Sequence, residues 1–295
     1  MPLTLSRRAQ VVPQVKISPP DNFALDNFVA RPAATFNLRK TTRHYDGTMI
    51  IVRGTTSSTL QREFKSDIRG DLDIRALLAF IGNGSGFVVR WNNPNNSARD
   101  ATQATTARQP RIAHNGVLDL ANGKPCMRQI ATVMWLDLPN IMVGASSATA
   151  AAVYRQSPDS IISQFGFNGW GNVNGDTDNV HSPWMDGLGA FDSFCSVTRQ
   201  LFSGYNEATR AVLRTHTMRQ TGTALQCFRN GIQIDTDKTV AFKTTPLNNK
   251  LLNGSQDNSA LSEDSLCEAV FFASAISTAD RLLLDNNQKA YYGIS

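Results

Sequence analysis

The residues best suited to chemistry in this 295-residue chain lie between positions 165 and 207. Asp176, Asp178, Asp186, Asp192 and Glu207 are carboxylates in a stretch dense in Gly and Asn. Hydrolysis of a glycosidic bond needs two carboxyl groups across a sugar, one kept protonated by its surroundings. These five are candidates by type alone, and any loop-rich domain of this size would hold as many. Asn172, Asn174, Asp176 and Asp178 alternate as oxygen ligands do in calcium loops, without the bidentate Glu that closes the common version. Asp176 and Asp178 are therefore the candidate metal residues, and calcium is the one cofactor the sequence puts forward; otherwise none is expected. Trp170, Trp184 and Phe167, with Asn168 beside them, could stack on sugar faces and bond hydroxyls. The same aromatics could equally cover the end of a hydrophobic core.

Other chemistries find less support. His44, His114, His181 and His216 lie in no nucleophile-elbow context. Cys126, Cys195, Cys227 and Cys267 are scattered, with no C-x-x-C pair and no His at zinc spacing. Cys227 and Cys267 sit in apolar, strand-like runs and are expected to be buried free thiols. The start of the chain has its charges after its apolar residues and no long apolar run behind them, so no secretory leader is read there. No apolar run is long enough to span a bilayer.

The elements that would carry these residues read as short strands between turns. Thr48–Arg53, Gly86–Trp91, Ile130–Leu138, Ala224–Phe228, Ile232–Asp235 and Leu266–Phe272 are strand candidates. Asn230-Gly231 between two apolar runs is a strong hairpin signal, because both residues tolerate positive φ. Asp73–Phe80 has Ile74, Leu77, Leu78 and Ile81 at helical spacing, with Asp71 or Asp73 as cap. Ser277 and Asp280 resemble a capping box, so a second helix is expected through about Tyr291, stopped by Gly293. Ala145–Tyr154, rich in Ala, Ser and Thr, reads as a loop or short helix. Residues 166–190 read as long loops that form an exposed face. The whole predicts an all-β sandwich with short helices over residues 33–295.

Residues 1–32 differ in kind. Pro2, Pro13, Pro19, Pro20 and Pro32 exclude a helix and disfavour an internal strand. Residues 1–43 hold seven basic and two acidic residues, which accounts for the whole +5 net charge. The segment is expected to be an extended basic arm. Val11, Val12, Val15 and Ile17 would add to a neighbour's sheet edge, and Arg7, Arg8 and Lys16 would attract an acidic surface. Its charge is too sparse for nucleic acid to be the expected partner. Deleting residues 2–30 is expected to leave a soluble domain of nearly unchanged melting temperature.

Two blocks of the sequence carry a family resemblance. The C-terminal block is Arg229-Asn230-Gly231, Leu252-Asn253-Gly254, Cys267–Phe272, Ala279-Asp280-Arg281 and Ala290–Ile294. It resembles the close of concanavalin-A-like (laminin-G-like) jelly-roll domains of bacterial and phage proteins. The N-terminal block includes Leu72-Asp73, Ala76–Phe80, Gly84–Val88, Trp91, Arg99–Gln103, Gln109–Ile112, Gly116–Leu118 and Asn122–Pro125. It is similar to the subgroup containing the catalytic domain of fungal α-L-arabinofuranosidase B, which recurs in virion proteins of tailed phages. The resemblance implies a jelly-roll sandwich. The enzymes use a carboxylate nucleophile and a carboxylic acid in their middle region, and grip the sugar partly with two adjacent cysteines. Here no cysteines are adjacent, residues 165–178 hold no Glu, and Asn92–Asn96 replaces the subgroup's Tyr-Asp-Gln-Ser-Gly run.

No catalytic residue is carried over on that basis. The expectation is a non-enzymatic virion structural protein, a capsid decoration or tail-fibre component. It would be docked on other virion proteins by its arm, present in multiple copies, and able to bind host-surface glycans. The alternative is a carbohydrate-binding attachment module or a glycoside hydrolase related to arabinofuranosidase.

Overall fold

The computed structural model describes residues 23–55, 60–131, 134–139, 141–142, 144–155, 163–164, 184–185, 190–192, 200–203, 212–242, 249–252 and 264–295. Antiparallel strands follow one hydrogen-bonded path that doubles back into a jelly-roll sandwich. One half runs Ile232–Gln233, Ala224–Arg229, Arg214–Thr221, Ser147–Arg155, Ser265–Phe272, with Ala34–Asn37 and Met127–Arg128 along the far side of the last. The other half runs Arg111–His114, Gly86–Trp91, Ala101–Thr102, Leu136–Leu138, Asn249–Leu251; Ile50–Gly54 also pairs with Gly86–Trp91 and carries Gln61–Phe64 on its own far side. Arg128 opposite Arg111 joins the two halves. Phe36, Ala150, Met218 and Phe271 from one half share a buried cluster with Ile50, Val88, Trp91 and Leu136 from the other. This common cluster is the core of the sandwich.

Several expected elements form where the sequence places them. Helix α1 is Ile74–Ile81, with the Asp73 side chain accepting from the Ala76 amide. Helix α2 is Thr278–Tyr292; Ser277 caps it, and Gly293 ends it in the left-handed conformation. The hairpin turns at Asn230 (φ 51°) and Gly231 (φ 83°), with both central residues at positive φ as a tight hairpin requires.

Ala145–Tyr154 is neither loop nor helix. Ser147–Arg155 is a nine-residue strand at the centre of its sheet, paired along its length with Arg214–Thr221 and Ser265–Phe272. Its Ala150 and Ala152 face the sandwich core, while Ala151 and Val153 pack beneath α2 with Leu284 and Tyr292. A strand covered on both faces shows no polar alternation, and small side chains let helix and sheet approach closely. The Ile130–Leu138 expectation is also trimmed. Met127–Arg128 and Leu136–Leu138 are strands, while Ile130 lies between them and is partly exposed.

Ser265–Phe272 is buried throughout, and its register with Ser147–Arg155 shifts between Val153, opposite Glu268, and Tyr154, opposite Leu266. A bulge of this kind breaks strict alternation. Cys267 and Glu268 therefore both reach the side where Tyr292 of α2 lies. Glu268, with no exposed surface, receives Arg39 through Nε at 2.8 Å and Nη2 at 3.3 Å. Gln288 Nε2 and Tyr292 OH donate to the same carboxylate. Burial alone would depress the Arg39 pKa, but the Glu268 charge holds it above its ordinary value.

Part of the stretch expected to be a free arm lies against the body. Ala24 and Leu25 are buried with Val270, Phe272 and Leu284, and the Phe28 ring stacks on Phe272 at 5.8 Å. The docking candidates Arg7, Arg8, Val11, Val12, Val15, Lys16 and Ile17 lie outside the described residues.

Candidate functional site

A cleft of ≈ 680 Å³ opens on the outer face of the second half-sheet. Its floor comes from strand register. Arg90 opposes Thr102, Thr102 opposes Asp137, and Asp137 opposes Lys250. Partners in register point to the same face, and strands are about 4.8 Å apart, so Arg90 and Asp137 are roughly 10 Å apart across the row. Arg90, Thr102 and Asp137 are exposed. Ser97, Ala98 and Asp100 form one wall, and Leu138 and Pro139 line the cleft with them.

The wall is the Asn-rich loop between Trp91 and Ala101. Asp100 accepts from the Asn93 amide at 2.7 Å and from Asn92 Nδ2 at 3.3 Å. Asn93 Oδ1 in turn accepts from the amides of Thr35 and Asn95, and Asn96 caps the short helical turn Ser97–Arg99. Side-chain amides thus replace sheet hydrogen bonds through the loop. Burial raises the Asp100 pKa from its ordinary value, against the opposing pull of the Asn93 amide and the Arg90 charge at 4.0 Å.

Asp137 is held from behind by the buried Trp135 indole, whose Nε1 donates to Oδ1 at 2.8 Å. Lys250 Nζ lies 3.8 Å from the Trp135 ring centroid and the Arg108 guanidinium 4.7 Å from it, both within cation–π range. Burial lowers the Lys250 pKa, Asp137 opposes that shift and Arg108 adds to it. The cleft therefore presents a cation, two carboxylates in unlike surroundings, two hydroxyls and a small apolar edge. This set suits a polyhydroxylated ligand, whose hydroxyls both donate and accept.

Trp170, Phe167, Asn168, Asp176 and Asp178 lie outside the described residues, as do Asp186 and Glu207. Trp184–Met185, inside the stretch expected to be loops, is a strand of a small four-stranded sheet. Its Trp184 pairs with Gln164 and Phe191, and Asp192 pairs with Gln200. Among the described residues no group of His, Cys, Asp and Glu could hold a metal ion. Nor, among these residues, is any helix long and apolar enough to cross a membrane. Cys126, Cys227 and Cys267 are buried free thiols, as expected for the last two; Cys195 lies outside the described residues. The cleft residues escaped the sequence reading because Arg90, Asp100 and Asp137 are brought together only by strand pairing. The one available signal was the Asn92–Asn96 run, which departs from the resembled pattern at the cleft wall.

No family model matches the chain, and no curated protein matches it. Solved structures do. An arabinofuranosidase complexed with arabinofuranosyl-α-1,2-xylobiose superposes with a TM-score of 0.59 at 14% identity, covering 90% of this chain and 63% of that one. A GH54 α-L-arabinofuranosidase soaked with a cyclic sulfate inhibitor gives 0.57 at 15% identity, covering 88% and 62%. The chain thus spans less than two thirds of the length of these proteins, and at such identity the likeness shows the fold: the arabinofuranosidase-like jelly roll.

Proposed function

We propose that this chain is a glycan-binding attachment domain on an arabinofuranosidase-like scaffold, and that it binds without hydrolysing. The observation that carries the reading is the match over nine tenths of the chain to enzymes crystallised with arabinofuranosyl ligands or inhibitors. The cleft of Arg90, Thr102, Asp100 and Asp137 supports it, because it offers the convergent polar groups a sugar needs. The absence of hydrolysis is supported by the lack of adjacent cysteines and of any Glu in residues 165–178. Asp100 also serves its own loop, through Asn92 and Asn93, rather than standing free for proton transfer. The same proposal places the domain on a virus particle. The basic, Pro-rich residues 1–22 would dock it to other virion proteins; this rests on the sequence resemblance to a subgroup that recurs in virion proteins of tailed phages.

The test is direct. The full chain should bind pentose- or hexose-containing oligosaccharides by calorimetry and leave nitrophenyl arabinofuranoside intact. Asp137→Ala and Arg90→Ala should each weaken binding at least tenfold, whereas Trp170→Ala with Trp184→Ala should not. If only the tryptophan pair matters, the site belongs on the 166–190 segment instead. Turnover that disappears in Asp100→Asn or Asp192→Asn would make the chain a hydrolase and overturn the proposal. So would failure to bind any glycan across a broad array.

A further inference from the structure

Two cysteines outside the cleft occupy facing positions on neighbouring strands. Met127 opposes Leu266, so continuing the antiparallel register sets Cys126 opposite Cys267. The Cys126 amide donates away from that partner strand, to the Asp119 carbonyl. The pair is therefore of the non-hydrogen-bonded kind, in which Cα atoms stand about 4.5 Å apart and side chains come closest. Disulfides span Cα separations of about 4.4–6.8 Å. Both thiols are buried in one cluster with Val153, Leu213, Tyr292 and Ile294. Each thiol also shifts the proton affinity of the other.

We propose that Cys126 and Cys267 are a redox clasp: a dithiol that a small-molecule disulfide closes into a cross-strand bond. Cys126 is the attacking group, because its neighbour Cys267 lowers its pKa, whereas burial raises that of Cys267. The Cys126 thiolate attacks one sulfur of the small disulfide, forms a mixed disulfide and expels a thiolate. Cys267 then loses its proton and attacks the Cys126 sulfur, forming the internal bond and expelling the second thiolate. The protein gives up two protons and two electrons, and the small disulfide is reduced to two thiols.

Access comes through the Gly293–Ser295 turn that follows α2. Ile294 of this turn belongs to the same buried cluster as the pair. The turn is held by Asn122 Nδ2 on the Tyr292 and Gly293 carbonyls, by Asn230 Nδ2 on the Ser295 carbonyl, and by Ile294 N on Lys289 O. A few peripheral hydrogen bonds open far more easily than the core strands beneath. Once formed, the bond ties the 120–128 segment to the buried strand Ser265–Phe272 and closes a loop of well over a hundred residues.

Incubating the folded full chain with oxidised glutathione tests this. Titratable thiols in denaturant should fall from four to two. The chain mass should drop by about 2 Da, and peptide mapping should link Cys126 to Cys267. The oxidised chain should melt several degrees higher, and reductant should reverse the shift. Cys227→Ser should leave the reaction unchanged and Cys126→Ser should abolish it. The mapped bond in the wild type decides the matter even if Cys126→Ser fails to fold. Four surviving thiols, stable glutathione adducts without an internal link, a bond to Cys195 or Cys227, or a bond that leaves the melting point unchanged would each overturn the proposal.

Discussion

Replacing Arg39 by Met tests a buried ion pair that ties the chain just after Asn37 to the strand Ser265–Phe272. The Arg39 guanidinium bridges the segment after Asn37 to Glu268, which has no exposed surface, and lies 4.3 Å from the Tyr291 ring centroid. The Met side chain fills most of the aliphatic volume but leaves the Glu268 carboxylate buried. Among the described residues, Gln288 and Tyr292 would then be its remaining donors. Removing one member of a buried pair costs about 3–5 kcal/mol, mostly the penalty of the charge left behind. For a chain of this size 1 kcal/mol moves the melting point by about 2 °C, so the loss should be roughly 6–10 °C. Adding Glu268→Gln removes the stranded charge: its amide oxygen still accepts from Gln288, and its NH2 group can donate to the Tyr292 hydroxyl oxygen. The double variant should therefore recover more than half of the loss, with a coupling energy of about 2 kcal/mol or more. Urea unfolding of the four chains of the cycle measures this. Because the pair is buried, added salt should change the result little. An Arg39→Met cost below about 1 kcal/mol, or strictly additive single effects, would refute the reasoning that the carboxylate depends on its guanidinium.

Three further outcomes follow from particular contacts. A Cβ on Gly86 would stand 3.2 Å from both Ile81 Cγ2 and Val52 Cγ1, so Gly86→Ala should cost about 1–3 kcal/mol in thermal melts by overpacking. Deletion through residue 30 removes the buried Phe23 and Leu25 and the Phe28–Phe272 stack, which deletion through residue 21 keeps. The longer deletion should be the less stable by roughly 3 kcal/mol or more, and equal stability would show that these contacts contribute nothing. For Asp100 the folded pKa lies above the ordinary value of an aspartate, chiefly through burial. Its contribution to stability is therefore full below that value and is lost as pH rises through the folded pKa. The advantage of the wild type over Asp100→Asn should be greatest in acid and shrink towards neutrality; parallel pH profiles in urea melts would contradict this.

Local chemistry was legible in the sequence wherever neighbours along the chain decide the conformation. The Asn230-Gly231 turn, the Asp73 and Ser277 caps and the Gly293 stop each depend on φ preference or a side chain reaching three residues on, and all stand where expected. The strands Gly86–Trp91 and Ser265–Phe272 were visible because branched and aromatic residues mark them. The Ser147–Arg155 strand was not, because its alanines carry no strand preference of their own. They are strand only because a facing sheet covers one side and α2 the other. Likewise the Arg39–Glu268 pair joins residues 229 positions apart, and the cleft gathers Arg90 and Asp137 from different strands and Asp100 from the loop between Trp91 and Ala101. Periodicity and spacing report which residues share a face of one element. Which elements then lie side by side is settled by strand register and by the burial available to each face, and that is a property of the assembled sandwich.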